Sequence, residues 1–209
     1  MQYQIIPVTA FQENCSIVWC EKSKSAAIID PGGEAELLKQ VITKLGVNIT
    51  KILLTHGHLD HVGAAKALAE YYQVKIYGSQ IEDQFLFDNL PHQCVQFGFP
   101  FTDAFLPDVW LQENDTIAVG ELNFDVLHCP GHTPGHIAFV NQSKKLAFVG
   151  DVLFKNSIGR TDFPRGNYAD LISSIKNKLF PLGDDITFVP GHGPISTFGA
   201  EKRSNPYLS

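Results

Sequence analysis

The chain predicts a layered α/β protein, on three observations. Short segments rich in Ile and Val alternate with amphipathic helical stretches, Gly and Pro punctuate the junctions, and 44% hydrophobic against 18% charged residues suits a packed core. A length of 209 residues fits one domain spanning 1–209.

Taken in order, residues 2–8, 16–20 and 26–30 form strands, the third closing on Pro31-Gly32-Gly33. Over 34–45, Leu37, Leu38, Val41, Ile42 and Leu45 recur at three- and four-residue spacing, which predicts a helix with one buried stripe. A strand is expected over 51–55, an Ala-rich helix over 62–72 and a strand over 74–77. Further strands are expected over 117–119, 122–128, 137–141, 146–150 and 186–190, with a helix over 168–180. Between 85 and 110 the chain is dense in Phe, and Pro91, Pro100 and Pro107 predict an irregular stretch. Such a stretch can line an active-site mouth or pack a satellite cluster of its own.

Sixteen Lys and Arg against 22 Asp and Glu leave a net charge of −6. That sign opposes binding by phosphate neutralisation, so nucleic-acid partners, and a nuclease activity with them, are disfavoured. No basic stretch followed by an apolar run opens the chain, and no apolar run reaches membrane-spanning length, so a cytoplasmic protein without a membrane partner is expected. Cys15, Cys20, Cys94 and Cys129 follow no Cys-x-x-Cys spacing and are expected as buried thiols. Cys129 lies between two histidine motifs, where it can either pack or serve as a soft ligand.

The histidines carry the functional signal. Three fall within His56-Gly57-His58-Leu59-Asp60-His61, directly after the expected strand 51–55. Two apart on an extended exit, His56 and His58 project to one side and can reach one metal ion. Asp60 and His61, where a helix begins, supply a second N/O pair. Later strand ends add His132 in Pro130-Gly131-His132, Asp151 in Gly150-Asp151 and His192 in Gly191-His192-Gly193. Counted as donors, His56, His58, His132 and Asp151 serve one ion, and Asp60, His61, His192 and Asp151 serve a second if Asp151 bridges. An imidazole and carboxylate set suits two zinc ions and equally admits iron or manganese. Ions about 3.5 to 4 Å apart would share an activated hydroxide, which predicts hydrolysis by direct attack, with Asp60 accepting or orienting the proton.

His-x-His-x-Asp-His followed by Gly-His132, Gly-Asp151 and Gly-His192 resembles the metallo-β-lactamase superfamily. That resemblance implies a four-layer αβ/βα sandwich with metals at its rim. Within it, the chain is similar to glyoxalase II, the hydroxyacylglutathione hydrolases that cleave S-lactoylglutathione to D-lactate and glutathione. The resemblance carries the seven ligands onto His56, His58, Asp60, His61, His132, Asp151 and His192. Gly159-Arg160-Thr161-Asp162-Phe163 and the ending Gly191-His192-Gly193-Pro194 look like the short bacterial branch, which implies the absence of the C-terminal helical domain of long enzymes.

Arg160 stands where the long enzymes hold glutathione with Lys, whereas Asp162 and Pro194 stand where they carry Tyr. Arg160 is therefore a candidate substrate-binding residue, or else a structural partner of Asp162 or Asp170. A thiol leaving group, with a pKa near ~8.5, needs no strong general acid. His128 and His136 are expected as hydrogen-bonding support, His92 as a loop residue, and Asp30 as a turn or support group. The competing expectations are a mononuclear-iron persulfide dioxygenase, a hydrolase of another thioester or ester, and a non-catalytic binding protein. The substrate is expected to be a small-molecule thioester, and oligomeric state is open.

Overall fold

A computed structural model describes residues 1–208. The first half builds a five-stranded sheet in the order β1 (Gln2–Val8), β2 (Glu13–Trp19), β3 (Ser25–Ile29), β4 (Asn48–Leu54) and β5 (Ile76–Gly78). The first three strands run antiparallel, and β3, β4 and β5 run parallel. The second half builds a six-stranded sheet, introduced in chain order as β6 (Thr116–Val119), β7 (Leu122–His128), β8 (Ile137–Asn141), β9 (Leu146–Gly150), β12 (Thr187–Pro190) and β13 (Ser196–Thr197). Across that sheet the order is β13-β12-β9-β8-β7-β6, with β12 parallel to β9. A two-stranded hairpin, β10 (Leu153–Phe154) and β11 (Ser157–Ile158), lies between β9 and β12 in sequence.

Side-chain alternation along the strands explains why they are nearly continuous apolar runs. In β3, Ala26 and Ile28 face the helices while Ala27 and Ile29 face the other sheet. Similarly, Phe139 and Phe148 point between the sheets, and Ala138, Val140, Ala147 and Val149 point to the outer helices. A strand buried on both faces has no polar side to show. The helices α1 (Ala35–Leu45) and α3 (Ala65–Tyr72) supply Leu38, Ile42, Ala65 and Leu68 to the first outer layer. On the opposite face α6 (Tyr168–Ser174) and α7 (Phe198–Ser204) supply Leu171 and Phe198. The result is the four-layer αβ/βα sandwich.

Three local expectations differ from the structure. The helix expected over 62–72 starts earlier, as α2 (Leu59–Val62), and breaks before α3. The break comes at Ala64, whose N–H donates to the Pro31 carbonyl at 2.9 Å instead of continuing the helix, and Gly63 permits the close approach, since a Cβ there would lie 2.5 Å from the Gly32 carbonyl oxygen. Residues 85–97 are not irregular but form α4 (Gln84–Asp88) and α5 (Leu90–Phe97). Pro91 sits in the first turn of α5, where its missing N–H would have had no intrahelical partner. His92 is thus helical rather than in a loop. Finally, α6 passes into a wide-turned stretch, Ile175–Leu179, ahead of Pro181, which has no N–H to extend the ordinary ladder. Pro100 and Pro107 do lie in irregular chain.

Candidate metal centre

The site lies where strands of both sheets end, the usual place for ligands in open α/β sheets. β4 leads through Thr55 into His56 and His58, and the first turn of α2 carries Asp60 and His61. His132 follows β7, Asp151 follows β9 and His192 follows β12.

Two buried carboxylates hold these loops. Asp30, at the end of β3, accepts hydrogen bonds from the Thr55 backbone N–H at 2.7 Å and the Thr55 hydroxyl at 2.6 Å. Its Oδ2 also lies 3.0 Å from His61 Nδ1, which turns His61 Nε2 into the site. Asp30 is therefore a support group, as expected. Asp83 accepts from the Gly57 N–H at 3.1 Å, the Thr133 hydroxyl at 2.8 Å and the Gly135 N–H at 2.6 Å. It thereby ties the His56–His58 loop to the loop bearing His132. Burial pushes the Asp83 carboxyl up to about 6 despite these donors.

The imidazoles are aimed by their far nitrogens. The Thr55 hydroxyl, already donating to Asp30, sits 3.1 Å from His56 Nδ1 and accepts from it. His132 Nδ1 donates to the Arg160 carbonyl at 2.8 Å, and His192 Nδ1 to the Phe11 carbonyl at 3.1 Å. Each leaves Nε2 free to coordinate. His136 is not a donor to the site: its Nε2 accepts the Asp151 N–H at 3.0 Å and its ring stacks on His56 at 4.7 Å. His128 Nε2 lies 2.7 Å from the Pro134 carbonyl. Cys129 is fully buried in the outer cluster, so it packs, and burial pushes its thiol up to about 12.

Two donor groups result. His56 Nε2 and His132 Nε2 each lie 3.0 Å from His58 Nδ1, and these three imidazoles can hold one ion. Asp60, His61 and His192 form a second set able to hold an ion, with Asp60 Oδ2 3.2 Å from His192 Nε2. Asp151 stands between them. Its Oδ1 is 3.5 Å from His61 Nε2, and its Oδ2 is 3.6 Å from both His132 Nε2 and His192 Nε2. All seven residues picked out in the sequence therefore converge.

The chemistry of these groups suits divalent cations. His61 Nε2 and Asp151 Oδ1 are buried, face each other and have no hydrogen-bond partner, an arrangement that native interiors avoid unless something else satisfies both atoms. Burial, reinforced by the neighbouring rings, holds His56 and His132 below the usual imidazole range and His58 down to about 3, so their lone pairs are free. For Asp151 burial acts the other way, yet His61, His132 and His192 hold it well below the usual carboxylate range.

Sequence reasoning missed Asp83 and Glu13. Glu13 is fully buried in β2, 3.8 Å from His61 Nδ1, with both carboxylate oxygens unpartnered, and burial pushes it well above the usual range. Neither residue sits in a local motif, so only the packing reveals them.

A cavity of about 930 Å³ opens over the donors, walled by α4, α5 and the segment carrying Arg160 and Phe163. The Arg160 guanidinium donates to both Asp162 oxygens, at 2.9 and 2.7 Å, and lies over the Phe163 ring. The Phe163 ring in turn packs edge-on to His58 and His132. Arg160 thus makes the ion pair with Asp162 while still lining the cavity.

A four-layer sandwich with clustered His and Asp donors at its strand ends defines a metallohydrolase scaffold. The family model of the metallo-beta-lactamase superfamily matches residues 8–192, and the chain belongs to that superfamily. It is 59% identical over 210 residues to "Hydroxyacylglutathione hydrolase GloC" of Haemophilus influenzae, covering 100% of this chain and 99% of that relative. Among solved structures it resembles the BLEG-1 B3 metallo-beta-lactamase, with a TM-score of 0.92, 35% identity and full coverage of both chains. TTHA1623 in a di-iron-bound form superposes with a TM-score of 0.89 and 36% identity, covering 98% of this chain and 100% of that one.

Proposed function

We propose that this chain is a metal-dependent hydrolase of glutathione thioesters, converting S-lactoylglutathione to D-lactate and glutathione. The observation that carries this reading is the convergence of His56, His58, Asp60, His61, His132, Asp151 and His192 beneath one cavity. The similarity to a relative named for that activity along the whole chain supports it. Divalent ions held there supply Lewis acidity, which polarises a carbonyl and acidifies water. Zinc is the ion proposed, and iron or manganese suit the same donors.

The chain's own groups do the rest. His56, His58 and His132 would hold one ion and Asp60, His61 and His192 the other, with Asp151 between the two sets. Asp60 remains ionised, because His61 and His192 outweigh its burial, and Oδ2 can accept the proton of an attacking water. Arg160 contacts the substrate from the cavity wall. The thiol half leaves as thiolate, and a pKa near ~8.5 requires no strong acid. The compartment proposed is the cytoplasm, where such a step would remove products of methylglyoxal. All four cysteines are free thiols, the state a reducing compartment maintains. Among the described residues, no helix is long and apolar enough to cross a membrane.

Metal content with S-lactoylglutathione turnover tests this reading. Near two ions per chain with hydrolysis is expected. One iron per chain, with oxygen uptake on glutathione persulfide and no hydrolysis, would replace it with the dioxygenase.

A further inference from the structure

Six phenylalanines line the cavity above the ion site: Phe11, Phe85, Phe97, Phe99, Phe154 and Phe163. Two of them reach the two donor sets. Phe163 packs on His58 and His132, Phe154 packs edge-on to His192, and Phe11 makes edge contacts with Phe97 and Phe99 on the α5 side. A group attached to a carbonyl placed at the donors can therefore meet aromatic surface.

Charge is arranged in the opposite sense. Among the described residues, Arg160 is the only Lys or Arg lining the cavity, and two of its N–H groups already point at Asp162. Asp88 adds a carboxylate to the same wall. Glutathione carries two carboxylates and one ammonium group, and this wall offers the carboxylates no unpaired cation. Of the three amide side chains on this wall, Gln93 is spent internally, accepting from the Leu59 N–H at 3.0 Å and donating to the Leu86 carbonyl at 2.9 Å, while Asn89 and Gln96 are exposed and carry no charge.

We infer that the cavity selects thioesters by a large apolar acyl group and not by the charged ends of the thiol half. The preferred substrates are then acyl thioesters with an aryl or extended alkyl group on the acyl carbon, of which the lactoyl ester is a poor member. This inference rests on the thioester-hydrolase reading above. Its physical basis is that an aryl group removes much apolar surface from water inside a cavity of about 930 Å³, whereas the lactoyl methyl leaves most of the aromatic wall uncovered.

The test compares S-lactoylglutathione with S-mandeloylglutathione, which replaces one methyl by phenyl, and with S-lactoyl-N-acetylcysteamine, which lacks the charged ends. The mandeloyl ester is expected to show kcat/KM at least about tenfold above the lactoyl ester, and the uncharged thiol half to change kcat/KM by less than about fivefold. Phe97→Ala, on a side chain 39% exposed and so outside the core, is expected to lower kcat/KM for the mandeloyl ester about tenfold more than for the lactoyl ester. Binding of S-hexylglutathione, measured by calorimetry, should exceed that of glutathione by a similar factor and fall in Phe97→Ala, a readout independent of turnover. Equal or lower kcat/KM for the mandeloyl ester overturns the inference while leaving the hydrolase in place. If the metal-loaded protein cleaves none of the three esters, the hydrolase reading fails and the inference falls with it.

Discussion

Gly191→Ala is a single added methyl group aimed at the centre of the site. A Cβ at Gly191 would lie 2.1 Å from Asp151 Oδ1 and 2.7 Å from His61 Cε1. An ordinary carbon–oxygen contact is near ~3.4 Å, so Asp151 or the Gly191 backbone must retreat by about 1.3 Å. Neither can do so freely. The Asp151 N–H is fixed on His136, and Gly191 bonds through its N–H to the Gly150 carbonyl and through its own carbonyl to the Asn14 N–H. A displacement of about 1 Å at a reacting centre lowers rate by about 10²-fold, equivalent to about 2.7 kcal/mol. Overpacking adds about 1 to 3 kcal/mol of lost stability. The expected outcome is a kcat/KM for thioester hydrolysis down by about two orders of magnitude, with zinc affinity reduced in a chelator competition. Gly46→Ala is the control, because its Cβ meets nothing within 4 Å and only its φ of +61° is strained. It should lose about 1 kcal/mol of stability and keep full activity. Activity of Gly191→Ala within about threefold of the parent would refute the placement of Asp151 at the reacting centre.

Other changes test the remaining roles. His58→Ala and Asp151→Ala should each abolish turnover while the far-ultraviolet spectrum still reports a folded chain, and full activity in either would remove that residue from the site. Arg160→Ala should raise KM more than it lowers kcat, since the side chain backs Phe163 on the cavity wall; an unchanged KM would leave Arg160 only its ion pair with Asp162. Asp83 should make stability depend on pH. Its carboxyl titrates near 3.8 when unfolded and is pushed up to about 6 by burial when folded, so the folded chain binds more protons in between. Stability therefore falls as pH rises through that window. Between pH 4 and 7 the difference between the parent and Asp83→Asn in urea denaturation should shift against the parent by about 2 kcal/mol, and parallel curves would contradict the raised value.

The sequence made the strand ends legible because each bore a polar residue after an apolar run. His132, Asp151 and His192 could be assigned to one site from type and position alone. The strands 122–128, 137–141 and 146–150 were likewise legible to the residue, since each is bounded by turn chemistry. Helices α4 and α5 were not, because Pro91 breaks a helix interior but starts a helix well, and only the surrounding packing decides which applies. Asp83 and Glu13 escaped for a different reason. Their importance lies in what the fold brings to them from 26 to 52 positions away in the case of Asp83, and no local spacing encodes that. Of the alternatives left open at Arg160, the ion pair with Asp162 is present and the side chain also lines the cavity, so its contact with substrate stays a proposal.

The seven ion-facing residues are divided between the two half-sandwiches. His56, His58, Asp60 and His61 follow a strand of the first sheet, while His132, Asp151 and His192 follow strands of the second. During synthesis the first half emerges with an open-sided cage, and closure waits for chain made much later. The full donor set thus exists only once both halves of the chain have been made and packed together. A cation bound there would be gripped from both sides, a rivet added to the apolar core that already joins the two sheets.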